Sequence, residues 1–404
     1  MNGNVIDDQK KIAEEVLGFF YPLFNGHHSA NGVNTGTPFV QDLTHLQEFL
    51  KPLSKLDDTT RDSIEKPFEM DELEEAIKDT KPHKSPGLDG IPYEWYKKCF
   101  PYISEELLST LNSILDRIKL TKSQEDGATR LLSKVDGIPQ VDELRPITLL
   151  NSDYKLLTKI LVNRILPLLP LLIKSGQLAS VDGKQILFGV ANIISAIEYV
   201  NQKKIGAALV SLDQWKAYDR TFIPFLLQVL AAMNFGPKFI AWIEMLHRNI
   251  STKFILNVLT DPIALTFSLR QGDPIAMIGY ILYIEPLLMM IKTNIQGLKI
   301  ANINQIDEDF VDDVNILVES DEDFLKIDQI FSKFEKVSGA ILNRSHKSKV
   351  MGLGKWEGRE DWPLKWLKVV SQMKIFGFIF TPTYSLTIKL NWEDTLEKLF
   401  QQDL

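Results

Sequence analysis

Three carboxylates in this chain stand where they could hold hard cations. Asp213 follows the apolar run Ala207 to Leu212, while Asp312 and Asp313 lie between Phe310-Val311 and the apolar Val314, Ile316, Leu317 and Val318. The first pattern reads as a buried strand ending in an acid and the second as the tip of a β-hairpin. If the two segments are neighbours in one sheet, acids from distant sequence reach one sheet edge. Oxygen ligands of this kind suit Mg²⁺, and a pair of such ions can activate an attacking hydroxyl while neutralising a leaving pyrophosphate. An Asp-Asp pair in a turn is commonly just a solvated turn, because Asp tolerates turn conformations. Packing gives no reason for the ordered series, however: strand-Asp213, Tyr218 five residues on, Arg270-Gln271-Gly272-Asp273-Pro274, then Phe310-Val311-Asp312-Asp313.

The elements that must position these residues follow from apolar periodicity and breakers. Helices are expected at 9–24, from about 70 to 78, and at 103–119, with a loop rich in Gly, Asn, Ser and Thr from Asn25 to Pro38. A strand-and-turn stretch at 125–150 precedes a helix from Ser152 to Leu166. The order then reads strand 207–213, helices 220–234 and 237–250, a hairpin at 252–258 and 263–269, and helix 274–292. A β-turn-β unit at 300–319, a helix 323–337, one strand at 373–380 and a last helix at 391–402 complete it. This is an α+β pattern with a split β-α-β arrangement on an antiparallel sheet.

Length and composition suit a packed globular enzyme. With 404 residues, 45% hydrophobic and 24% charged, two or three domains are expected. The lone Cys99 and six scattered His supply no zinc-ligand spacing and no internal disulfide, so no zinc is expected. The acidic, polar Met1–Lys11 does not read as a secretory signal. Apolar stretches at Ile165–Ile173 and Met277–Ile291 contain Pro167, Pro170, Glu285 and Pro286, so they read as buried elements and no membrane partner is expected. No address signal chooses between nucleus and cytoplasm, and nothing fixes the oligomeric state. A net charge of −8 counts against tight nucleic-acid binding overall. A local basic groove would overcome it, with candidates Lys81, Lys84, Arg145, Lys155, Lys159, Arg164, Lys184, Lys203 and Lys204.

Further segments extend the series: Lys84-Ser85-Pro86-Gly87-Leu88-Asp89-Gly90-Ile91-Pro92, Leu144 to Asn151 with Tyr154-Lys155, and Ser338-Gly339 before Leu342-Asn343 and Lys347-Ser348. Together these resemble the reverse transcriptase of LINE-type (non-long-terminal-repeat) retrotransposons, from about residue 65 to 385. The resemblance implies a right-hand polymerase architecture with helical fingers, a split β-α-β palm and a largely missing thumb. The implied divisions are an N-terminal helical extension and linker (1–64), fingers (65–205), palm (206–380) and the truncated start of a thumb (381–404). The implied activity is RNA-directed DNA synthesis: deoxynucleoside triphosphates added to a DNA primer 3′-hydroxyl on an RNA template, with two Mg²⁺ ions for which Mn²⁺ can substitute.

By the same resemblance, Asp213, Asp312 and Asp313 hold the metals, with the backbone carbonyl at Gln214 as a further ligand. Tyr218 lies beneath the incoming sugar and excludes a 2′-hydroxyl. Gln271 and Gly272 touch the nascent base pair, and Lys347 protonates pyrophosphate. Arg145 either lies near the triphosphate or bonds local carbonyls. Asp219 reads as structural, capping the following helix. Residues 373–380 match the primer-gripping hairpin. The chain also departs from the family pattern, with Val311 before the acid pair, Trp215 between Asp213 and Lys216, Met277 after the Gln-Gly segment, and a shortened Gly176–Ile186. A catalytically weak fragment that keeps the fold and some nucleic-acid binding is therefore the competing reading. A metal-dependent nuclease or cyclase on a similar sheet would explain the acids but neither Tyr218 nor Arg270–Pro274.

Overall fold

The computed structural model describes residues 6–28, 34–300, 303–344 and 347–402. The strands in the described residues are β1 (Asp126–Ser133), β2 (Leu144–Leu149), β3 (Gly206–Leu212), β4 (Ser251–Phe254), β5 (Ile263–Ala264) and β6 (Leu298–Ile300). They continue with β7 (Ile303–Gln305), β8 (Val314–Val318), β9 (Lys349–Gly354), β10 (Lys368–Val369), β11 (Met373–Ile375) and β12 (Phe378–Phe380). The chain falls into two compact units, and the fold is mixed α/β.

The first unit comprises residues up to 41, 54–172 and 216–283. Its sheet has the order β2-β1-β4-β5. β1 pairs antiparallel with β2 but parallel with β4. Three buried threonines tie these strands together: the Thr129 hydroxyl lies 2.9 Å from that of Thr148 and 2.7 Å from that of Thr252. Helix Met70–Lys78 starts where Glu69 and Glu72 form a capping box, as its acidic start suggested. Arg164, expected as a groove cation, instead grips both carboxylate oxygens of Glu72 at 2.6 Å and donates to the carbonyls of Ile64, Lys66 and Pro67. A guanidinium used this fully ties chain segments together and is not available to phosphate.

Helix Tyr93–Arg117 begins ten residues before the expected start and runs through Pro101. Proline removes an N–H and crowds the carbonyl four residues back. Here Pro101 and Lys97 both face solvent, where water can serve the released carbonyl.

The second unit comprises residues 42–53, 173–215 and 284 onward. Its main sheet has the order β10-β9-β3-β8. Central β3 pairs antiparallel with β8 and with β9, whereas β9 and β10 are parallel. Every residue of β8 is buried, Asn315 as well as the apolar Val314, Ile316, Leu317 and Val318. Helix Ile186–Lys203 covers one side with Ile193, Ile197 and Val200 against Leu209, Met351 and Leu353. Helix Asp321–Ser338 opens on Ser320, whose hydroxyl accepts the Asp323 N–H at 3.2 Å, and ends at Gly339 with φ +75°.

The expected single strand at 373–380 is two strands, β11 and β12, joined by a tight turn. Phe376 and Gly377 take φ +55° and +86°, the pair of left-handed residues a two-residue hairpin needs. The last helix starts at Tyr384 and anchors this hairpin: Asn391 accepts the Ile379 N–H at 2.8 Å and donates to the Ile379 carbonyl at 2.6 Å. Helix Pro274–Asn294 is the one described helix long and apolar enough to cross a membrane, and 78% of its apolar window is buried in the protein.

Candidate active site

The carboxylates meet by strand register. Leu212 pairs with Val314 at the end of the β3–β8 ladder, so Asp213 and Asp313 are the next residues on adjacent strands. Asp213 is fixed from a third segment. Its carbonyl accepts the Asn343 N–H at 2.8 Å, its carboxylate accepts the Asn343 side-chain N–H at 2.9 Å, and its own N–H donates to the Ser348 hydroxyl at 3.2 Å. Ser348 in turn donates to the Asn343 carbonyl at 2.7 Å, closing the loop. Gln214 bridges Leu342 and is buried. Lys347, next to this loop, is exposed.

Asp312 and Asp313 sit on a two-residue turn. Phe310 and Asp313 exchange both backbone hydrogen bonds, at 3.0 and 3.1 Å. Val311 has φ +57°, a left-handed value that costs a β-branched residue about 1–3 kcal/mol. Gln177 answers that cost with its side-chain amide. Its Oε1 accepts the Val311 N–H at 2.8 Å and its Nε2 donates to the Val311 carbonyl at 3.2 Å. Beneath the turn, Asp309 accepts the Asn315 N–H at 3.0 Å. On the other side, the Phe310 ring meets Phe376 of the β11–β12 hairpin edge-on at 6.3 Å.

Burial first, then the charges of Asp312 and Asp213, push the Asp313 pKa up to about 6, against the pull of Lys349. Solvent reaches the exposed end of Asp313 and moderates the effect. Three oxygen-donor acids whose charges oppose one another are the donor chemistry that a hard divalent cation relieves. Among the described residues, no group of three or more His, Cys, Asp or Glu is arranged to hold a metal ion.

The remaining candidates belong to the first unit. Tyr218 stacks on buried Tyr280 with ring centroids 5.0 Å apart. Asp219 does not cap a helix, because Ile223–Ala232 begins after Phe222 with no side-chain cap. It is buried and accepts from the Gln271 amide at 3.4 Å. Burial raises its pKa to about 6, opposed by the charges of Lys216, Lys134 and Arg145. The Gln271 carbonyl accepts the Thr148 N–H at 2.7 Å. Gly272 follows at φ +115°, where an added Cβ would lie 2.3 Å from the Thr148 carbonyl oxygen. Only glycine fits that approach.

Asp273 accepts the Tyr154 hydroxyl at 2.6 Å, and Arg270 lies over the Tyr154 ring at 4.8 Å while donating to the Glu125 carbonyl at 3.2 Å. Arg270 and Asp273 thus hold the Gln271-Gly272 turn from both ends. Arg145 is exposed on β2 and makes no hydrogen bond to a local carbonyl among the described residues.

The family model for reverse transcriptase (RNA-dependent DNA polymerase) matches residues 133–380, more than half of the chain, and the chain belongs to that family. That membership classes it with the RNA-dependent DNA polymerases, which are nucleotidyltransferases. The Transposon TX1 uncharacterized 149 kDa protein of Xenopus laevis is 26% identical over 350 residues, 86% of this chain and 26% of that protein. The chain therefore spans about a quarter of the length of that curated relative. The recognition made from the motifs, a LINE-type reverse transcriptase domain, stands with both matches.

Asn343 and Gln177 are the residues that sequence reasoning did not place in the site. Asn343 appeared only as part of a motif, and Gln177 lay in a segment noted for being short.

Proposed function

We propose that this chain extends a DNA primer 3′-hydroxyl on an RNA template with deoxynucleoside triphosphates, as part of a LINE-type retrotransposon protein. The observation that carries the reading is the register that sets Asp213 beside Asp313 with Asp312 adjoining on the turn. On this reading 65–205 act as fingers, 206–380 as palm and 381–404 as the start of a thumb, with 1–64 an extension. Asp213, Asp312 and Asp313, with the carbonyl at Gln214, would hold Mg²⁺ or Mn²⁺. When bound, two such ions lower the pKa of the primer hydroxyl and neutralise charge on the leaving pyrophosphate.

The protein's own residues do the rest. Asn343 holds the Asp213 carboxylate in one rotamer, which keeps one oxygen turned from the hydrogen bond and open to a ligand. Tyr218, backed by Tyr280, presents a ring edge that a 2′-hydroxyl would strike, so deoxynucleotides are chosen. Gln271, oriented by Asp219, and Gly272 bring polar backbone close to the nascent base pair. Arg145, exposed and without a local carbonyl partner, is suited to the triphosphate, and Lys347 to the proton that leaves with pyrophosphate. The β11–β12 hairpin, touching Phe310 through Phe376, is suited to gripping the primer end.

Extension of a labelled DNA primer on RNA by the parent, abolished in an Asp312→Ala, Asp313→Ala variant, is the expected result. A folded parent that extends nothing in Mg²⁺ or Mn²⁺ would refute the reading and leave a fragment that keeps the fold without its chemistry.

A further inference from the structure

The acid-bearing turn carries a residue in a conformation it does not favour. Val311 is β-branched and buried, at φ +57°, in a position where hairpins ordinarily use Gly, Asn or Asp. Left to local preference, the turn would relax and take Asp312 and Asp313 with it. Something outside the hairpin has to hold it.

The holding contact comes from the segment around Gln177. Backbone bonds align this segment with the arm of the hairpin: the Asp309 N–H donates to the Gly176 carbonyl at 3.1 Å and the Leu178 N–H to the Asp309 carbonyl at 2.9 Å. Gln177 therefore lies beside Asp309 in a parallel bridge, and its side chain reaches two residues further along, to Val311. There it satisfies both main-chain groups of Val311, and its Oε1 also accepts the Ala179 N–H at 3.1 Å. Gln177 is fully buried, 0% exposed, so water cannot substitute for it. No other uncharged side chain of this length offers an acceptor and a donor on one rigid plane. Asn is one carbon short, and Glu in its charged form only accepts.

We propose that Gln177 is the positioning residue of the catalytic turn: its amide clamps Val311 in the left-handed conformation and thereby sets Asp312 and Asp313. This rests on the polymerase reading for its catalytic consequence, but the clamp itself is a matter of the fold. It acts through Val311 and touches no reacting atom.

The test uses Gln177→Leu, which keeps the volume and removes both hydrogen bonds, and Gln177→Leu combined with Val311→Gly. Hydrogen exchange followed by mass spectrometry reads the clamp without any activity. Protection of a peptide spanning 306–313 should fall by about tenfold or more in Gln177→Leu, while one spanning 314–320 stays as in the parent. Unchanged exchange at 306–313 would overturn the proposal, and so would an equal loss over both peptides, which is general destabilisation.

Primer extension reads the consequence. In Gln177→Leu, kcat should drop by about 10- to 100-fold with KM for deoxynucleotide within about twofold, because a shift near 1 Å misplaces the acids without touching the substrate site. Glycine at 311 takes the left-handed conformation unaided, so the double variant should regain about tenfold of that loss. Failure of the glycine to rescue an active but impaired Gln177→Leu would also overturn it. A parent that extends no primer refutes the polymerase reading alone, and the exchange result then decides the clamp.

Discussion

Gly272→Ala isolates the closest backbone approach in the first unit. Two costs act at this position and can be separated. The first is conformational: φ is +115°, a value alanine adopts only under strain, at about 1–3 kcal/mol. The second is steric, since the new Cβ would stand 2.3 Å from the Thr148 carbonyl oxygen, where ordinary contact begins near 3.4 Å. The turn must therefore retreat by about 1 Å, a displacement that costs about 10²-fold in rate when it moves a substrate-positioning group. It must also stretch the 2.7 Å bond between the Thr148 N–H and the Gln271 carbonyl. Gly137→Ala is the control, for Gly137 has φ +91° with open space around its would-be Cβ. It carries the first cost without the second.

In urea unfolding, Gly272→Ala should therefore be less stable than Gly137→Ala by about 1–3 kcal/mol, the usual range for overpacking. In primer extension, Gly272→Ala should lose about two orders of magnitude while Gly137→Ala keeps near-parental rates. If the two variants agree within about 0.5 kcal/mol and both extend primers, the docking of Gly272 on β2 does not constrain the turn and the reasoning fails.

Two other outcomes follow from single contacts. Burial raises the Glu285 pKa to about 7 although Ser175 and the Lys174 and Ser175 N–H groups donate to it. The folded protein thus holds this proton where the unfolded chain has released it, so stability from this group falls as pH rises from about 4.5 to 7, by about 3 kcal/mol at most. Glu285→Gln should flatten that slope in urea midpoints taken from about pH 4.5 to 8, and parallel curves for parent and variant would contradict it. Tyr218→Ala, by removing the ring that Tyr280 backs, should raise ribonucleotide use relative to deoxynucleotide by about tenfold or more, and an unchanged ratio would remove Tyr218 from sugar selection.

The parts of the chain that were legible in the sequence are those where local pattern and tertiary demand agree. β3 and β8 are mostly apolar and mostly buried, interrupted only by Ser211 and Asn315, so their existence and the acids at their ends could be read directly. Helix Asp321–Ser338 announced itself with acids in its first turn and Gly339 after its last. Where local pattern misled, an identifiable force opposed it. The helix expected from 103 starts at Tyr93 and runs through Pro101, whose exposure to solvent makes it tolerable. Phe376-Gly377 sat inside an apolar run that looked like one strand, since nothing in a Phe announces φ +55°. Asp219 carries the residue type of a cap, but its burial beside Gln271 gives it a partner 52 residues away.

The same logic explains why the clamp on the catalytic turn could not be read from sequence. Val at position 311 continues the apolar character of the hairpin, and local preference places it in extended backbone, not at a left-handed turn position. Its actual conformation is imposed by Gln177, 134 residues earlier. A glutamine carries no periodic or breaker signal, so neither partner points to the other. A glycine at 311 would have needed no clamp, yet it would also have left the acids on a freely hinged turn. Strained valine plus a buried amide gives a turn with one conformation, which suits groups whose placement must hold to a fraction of an ångström. The disagreement between local preference and observed backbone at Val311 therefore marks the place where the fold fixes its acids, and sequence conflicts of this kind are where a distant polar partner should be sought.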